Sequence, residues 1–240
     1  RRRTTRRRTT RRSPTYSRYT GKVRQEKIHT FISKLIKKHS RFENLSRELS
    51  SRHLLSVGND GVTVRYRDNN KEYALKIFKR TRMAKKVREK INLHKKAAKA
   101  GIAPAIVQAY EGTKKTTAKS QKHPFIVMKL LHRSLKNTIR KQDGELTDKQ
   151  QKEIIRTFKQ LDKLKINLHL RDSSLHNFMF SRDGKLYVVD FESAFEFNKK
   201  ERAIKSEYKK PNIANNLKKL YNKLKKYGPS LLHQYLRKIK

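Results

Sequence analysis

The sequence contains no cysteine, which removes disulfides, thiolate metal sites and cysteine nucleophiles from its chemistry. Acid is scarce: 20 Asp plus Glu stand against 64 Lys plus Arg, a formal charge of +44 over 240 residues. No stretch approaches the roughly 20 apolar residues that a membrane-spanning helix needs, and the basic N-terminal stretch is not followed by an apolar run. Neither an anchor nor a signal peptide is therefore expected, but a soluble protein or one held at a surface by charge. Hydrophobic residues make up 34% of the chain. They are gathered in segments that could build the core of one ordinary domain or two small ones.

The positive charge is unevenly spread. Residues 1–24 hold eleven Lys or Arg and no acid, and they open on RRRTTRRRTTRR, a five-residue repeat with nothing apolar to bury. Taking these eleven away leaves +33 on the other 216 residues, so the remainder is basic in its own right. Residues 199–240 add fourteen Lys or Arg against Glu201 and Glu207. A polyanion is the partner this composition implies: nucleic acid first, an acidic membrane face or acidic protein second. Guanidinium grips phosphate bidentately, which makes the Arg1–Arg12 arm the expected nucleic-acid contact, against the plainer reading of a solubilising tail.

Beyond the arm, Ile28, Phe31, Ile32, Leu35 and Ile36 recur at helical spacing and predict an amphipathic packing helix over 23–39. Residues 53–57, 61–67 and 72–79 read as three strands joined at Gly58-Asn59-Asp60-Gly61 and Asp68-Asn69-Asn70-Lys71, an antiparallel meander. A basic helix is expected from Met83 to Ala100, ended by Gly101. Two strands are expected in AIVQAY and FIVMKLL, on either side of a polar loop, 111–123. Thr147 caps a long helix with Ile154, Ile155, Phe158, Leu161 and Leu164 on one face; an irregular polar stretch and a strand in LYVVDF come next. Two helices, Asn212–Tyr227 and Ser230–Lys240, are divided by Gly228-Pro229. The histidines show no metal-site spacing and read as packing or locally hydrogen-bonded residues. Strands first and helices after predict an α+β chain in two lobes.

Four segments fall in an order with a chemical meaning: the turn in SVGNDGVTV, Lys76 in YALKIF, Asp172 and Asn177 five residues apart in LRDSSLHNFMF, and Asp190 in VVDFE. One at a time they are a surface lysine, turn residues and a strand-end carboxylate. Together, over residues 53–200, they resemble the protein kinase superfamily, whose pattern is a Gly-rich loop, a strand lysine, a loop R-D-x-x-x-x-N and a D-F-G. The resemblance implies a kinase-like two-lobed fold: a strand-rich N-lobe over 53–131 and a truncated helical C-lobe over 132–240, preceded by a helical extension, 23–52, and the arm, 1–22. It also implies ATP and Mg²⁺ as cofactors. Gly58 and Gly61 would bound the phosphate loop and Lys76 would hold the α- and β-phosphates. Glu89, the sole acid between Glu72 and Glu111, would pair with that lysine. Asn177 and Asp190 would be the metal ligands, hard oxygen donors suited to Mg²⁺. Asp172 would orient a substrate hydroxyl, with Arg171 beside it free to meet a phosphate or an acid.

Departures from the pattern are plain. The loop keeps two glycines, Glu192 stands where D-F-G has its glycine, no A-P-E follows, and about fifty residues remain after the last motif. That economy resembles the RIO and lipopolysaccharide kinases and small kinase-like proteins of large DNA viruses, in which GIAP (101–104) and HNFMF (176–180) look at home. The expected function is an ATP-dependent phosphotransferase acting on Ser or Thr hydroxyls of a protein. The alternatives are a catalytically silent, kinase-shaped structural protein associated with a virion or capsid, and a kinase of small molecules or lipid head groups. Cytoplasm or nucleus is the expected location, with packaging in a virion on the viral resemblance.

Overall fold

The computed structural model of the protein describes residues 24–39, 42–45, 49, 53–58, 60–79, 84–112, 122–142, 145–168, 175–191, 194–196, 213–225 and 229–238. The arm, and with it the expected Arg1–Arg12 contact, lies outside the described residues. Mixed α+β architecture is present as expected.

The meander forms because its turns fit the strand twist. Strands β1 (Leu54–Val57), β2 (Gly61–Asp68) and β3 (Lys71–Phe78) pair antiparallel. Asn69 and Asn70, both at positive φ (47° and 60°), close the β2–β3 hairpin with the primed turn that a right-handed sheet prefers. Strands β4 (Ile106–Tyr110) and β5 (Phe125–Lys129) complete an antiparallel sheet of order β1-β2-β3-β5-β4.

Period-2 alternation then divides the sheet into two faces. Val62, Val64, Tyr66, Tyr73, Leu75, Ile77, Phe125 and Val127 form one core with Ile28 and Ile32 of helix α1 (Gln25–Lys38) and with Phe42 and Leu45 in and after a short 3₁₀ turn. The N-terminal helix is thus a lid on the outer face of the sheet. On the other face Ala74, Phe78, Ile126 and Met128 meet Val87 and Ile91 of helix α2 (Ala84–Lys99).

Helix α2 joins this half to the next. Its C-terminal end contributes Leu93 and Ala97 to a second core, built on helices α3 (Leu135–Lys141), α4 (Asp148–Lys163), α5 (Ile213–Leu224) and α6 (Ser230–Lys238). Gly101, at φ 72°, ends α2 by turning the chain so that Ile102 N–H reaches the Ala97 carbonyl at 3.0 Å. Thr147 caps α4 in a reciprocal capping box with Gln150.

Short strands, two of them in the stretch that reads from sequence as irregular, complete this half: β6 (Arg133–Ser134), β7 (Ile166–Asn167), β8 (Phe178–Phe180), β9 (Leu186–Val188) and β10 (Phe195–Glu196). They pair as sheets of order β6-β8-β9 and β10-β7. Asn177 and Asp190 lie just beyond the two strands at the open end of the β8–β9 hairpin.

Candidate functional site

Lys76 lies on β3 between Leu75 and Ile77, which point into the core under α1, so its own side chain is turned to the opposite face. There its Nζ donates to Asp190 Oδ1 at 2.7 Å, the two side chains being 12% and 19% exposed. A lysine of the five-stranded sheet and a carboxylate 114 residues away are thereby joined.

Asp190 is placed by the β8–β9 hairpin. Phe178 pairs with Val188, and one step further Val189 N–H donates to the Asn177 carbonyl at 2.9 Å. Asn177 and Asp190, thirteen positions apart in the chain, therefore flank the open end of one hairpin. The hairpin itself is fixed from behind: Val188 N–H donates to the Ile102 carbonyl at 2.8 Å, and Phe178 stacks on Phe158 of α4 at 5.7 Å.

Asp190, Asn177 and Lys76 line a cleft of about 830 Å³. Its roof is β1 and the cleft-facing side of β2, including Gly58, Gly61 and Thr63; its back is Ala74, Met128, Leu130 and Leu131; its floor is Met179 and Val189. Leu55 and Val57, the two large hydrophobics left exposed among the described residues, both face into this cleft. The lining thus combines apolar side chains with an ammonium, a carboxylate and an amide.

The roof turn is tight, with Gly58 N–H on the Gly61 carbonyl at 2.9 Å. At Gly61 a Cβ would sit 2.0 Å from the Ile77 carbonyl oxygen, so this glycine is required by the β2–β3 approach itself. The turn is also pinned from outside: buried Asp60, one residue earlier, accepts from Lys90 Nζ of α2.

That contact corrects one expectation. Glu89 does not pair with Lys76; it is exposed, and no ion pair of Glu89 occurs among the described residues. The reason is helical register. Val87, Ile91 and His94 define the buried stripe of α2, and Lys90 lies three residues after the first and four before the last, on that face. Glu89 is rotated away from it, so the inward polar position of α2 holds a cation.

His94 packs behind the site. Its ring lies 5.3 Å from that of Phe191, and its Nε2 is 2.8 Å from the Pro104 carbonyl. Burial pushes its pKa down to about 4, with Lys76 lowering it further and the Pro104 contact opposing. The imidazole is therefore neutral, donates Nε2–H to Pro104 and fixes the residue after Asp190. The signal for this role in the sequence is its place on the α2 stripe.

Asp172, Arg171 and Glu192 lie outside the described residues. No group of three or more His, Asp or Glu positioned to hold a metal occurs among the described residues. Asn177 and Asp190 supply an amide and a carboxylate oxygen, a donor set that suits a hard divalent cation carrying its own water and phosphate ligands. No helix in the described residues is long and apolar enough to cross a membrane. The chain matches no protein-family model and no curated protein.

Proposed function

We propose that the protein is an ATP- and Mg²⁺-dependent phosphotransferase of protein-kinase-like, two-lobed build with a reduced helical lobe, acting on Ser or Thr hydroxyls of a protein. The observation that carries this reading is the convergence of Lys76, Asp190 and Asn177 in a cleft that apolar side chains also line. A nucleotide suits that mixture: the base would pack on apolar lining residues such as Leu55, Val57 and Met128, and the phosphates would lie toward Lys76 and the Gly58–Gly61 turn. Asn177 and Asp190 would hold Mg²⁺, which neutralises phosphate charge in transfer. Lys76 binds and orients the phosphates, and Asp172 is assigned the acceptor hydroxyl by its place in the R-D-x-x-x-x-N stretch.

The test is phosphate transfer and a nucleotide-dependent thermal shift, each with and without Mg²⁺. Lys76→Met and Asp190→Asn are both expected to abolish transfer while leaving the fold intact. Equal activity in wild type and Asp190→Asn would sink the enzyme reading. The second reading, a silent kinase-shaped structural protein, draws on one observation: no acid from α2 meets Lys76. It predicts no nucleotide-dependent shift at all.

The Arg1–Arg12 arm is assigned a separate task, sequence-independent binding of nucleic acid. Each phosphate it neutralises on duplex DNA should add about −0.9 to the slope of log affinity against log salt. Removing residues 1–22 should flatten that slope; an unchanged slope would count against the arm.

A further inference from the structure

The wall of the cleft formed by the end of β5, by β6 and by α3 carries cations that form no close ion pair with a described carboxylate, although Lys129 feels the charge of Asp183. Lys129, Arg133, Arg140 and Lys141 all line the cleft, and among the described residues none has a carboxylate within 4 Å. Among the described residues Asp190 is the one acid in the lining, and it already accepts from Lys76. A neutral occupant would leave this wall as a set of mutually repelling charges, and a basic one would make matters worse.

We infer that this wall selects the phosphate acceptor, and that the acceptor is an acidic polypeptide segment carrying carboxylates beside its Ser or Thr. The inference rests on the phosphotransferase reading and adds the substrate class to it. Geometry allows an extended chain. Arg140 and Lys141 both lie one helical turn along α3 from Asn137, each roughly 6 Å from it. Side chains on one face of an extended segment recur at about 6.5 to 7 Å. Two polar groups two positions apart on such a segment would therefore span that one turn, with a carboxylate at Arg140 and Lys141.

Nucleic acid fits less well. Among the described residues no Phe, Tyr or Trp lines the cleft, so bases would find no stacking platform on them. A space of about 830 Å³, already shared with a nucleotide, has no room for a duplex.

The experiment measures binding to the full chain of a labelled peptide with Ser flanked by Glu, of the same peptide with Gln for Glu, and of a single-stranded oligonucleotide of matched charge. All three are measured in moderate salt by fluorescence anisotropy. The acidic peptide should bind more tightly than its neutral counterpart. Arg133→Gln/Arg140→Gln should weaken that binding about tenfold, the expected loss of two partly exposed charge contacts. Lys129→Gln/Lys141→Gln should act in the same direction and stands in if the first pair folds poorly. Lys218→Gln/Lys225→Gln, at exposed lysines in and just after α5, removes the same charge elsewhere and should leave affinity unchanged. Equal affinity for acidic and neutral peptides would overturn the proposal. So would equal weakening by cleft and control pairs, or oligonucleotide binding that depends on the cleft pair more than peptide binding does. Failure of the phosphotransferase reading looks different: an acidic peptide bound at this wall but never phosphorylated, with no Mg²⁺-nucleotide shift.

Discussion

Removing Lys90 should cost the protein more than removing the carboxylate it serves. Asp60 is 3% exposed at its side chain and Lys90 is 17% exposed, so the two partners are not equally trapped. Lys90→Met leaves a carboxylate buried without its cation, and breaking a buried pair in that way costs on the order of 3 to 5 kcal/mol. The lower end of that range, about 3 kcal/mol, is expected here. Asp60→Asn strands an ammonium on a flexible stem that can reach toward water, so about 1 to 2 kcal/mol is expected. The double variant should lose less than the sum, because a buried amide facing a methionine carries no unpaired charge. For a chain of this length, about 3 kcal/mol corresponds to a fall in Tm of roughly 6 to 12 °C. Urea unfolding of wild type, both single variants and the double variant would measure the cycle. A Lys90→Met cost below that of Asp60→Asn, or strict additivity, would refute the argument from unequal burial. Because the pair pins the Gly58–Gly61 turn to α2, nucleotide affinity measured well below Tm should also fall in Lys90→Met.

Gly61→Ala should disrupt the β2–β3 pairing, since its methyl would collide with the Ile77 backbone at 2.0 Å; loss of about 3 kcal/mol or failure to fold is expected, and a variant of native Tm would refute the fit. His94 gives a pH signature. Its folded pKa, about 4, lies below the 6.5 of the unfolded chain, so the unfolded state binds the extra proton between those values and stability falls as pH drops from 6.5 to 4. The full effect is at most about 3 kcal/mol, and His94→Gln, which can still donate to Pro104, should flatten this part of the stability–pH curve. An identical curve in wild type and His94→Gln would show that the imidazole is not the group responsible.

Secondary structure is legible in this chain where its periodicity is long. YALKIF and GVTVRY alternate over enough residues to fix which side chains face α1, and with them the direction of Lys76. Thr147 and Gly101 carry their own start and stop chemistry, and both helix ends are found where that chemistry puts them. The strands β6, β7 and β10 are two residues each. Segments so short have no period, and only pairing partners far along the chain make them strands. Helix α3 escapes notice in the sequence for a related reason: seven residues with four polar side chains facing solvent, LKNTIRK, leave only Leu135, Thr138 and Ile139 as its buried stripe.

The candidate site is legible where a residue type dictates its place and illegible where only rotation does. Lysine in a buried-face alternation, and a carboxylate at the end of an apolar strand, can be brought together by topology alone, and the β8–β9 hairpin does so. Glu89 and Lys90 differ by one helical step, about 100° of rotation, and residue chemistry favours the acid as the partner of Lys76. Packing of Val87, Ile91 and His94 decides otherwise. The consequence is a site whose charges are matched crosswise: the sheet lysine meets the carboxylate of the β8–β9 hairpin, and the helix lysine meets the carboxylate of the roof turn. With no helix acid beside it, Lys76 is held in the cleft by Asp190 alone among the described carboxylates. A phosphate entering the cleft competes with Asp190 for the ammonium, and a divalent cation competes with Lys76 for the carboxylate. On the proposed phosphotransferase reading each would displace the partner that the other needs released, so nucleotide and metal would favour one another's binding through the 2.7 Å pair they replace.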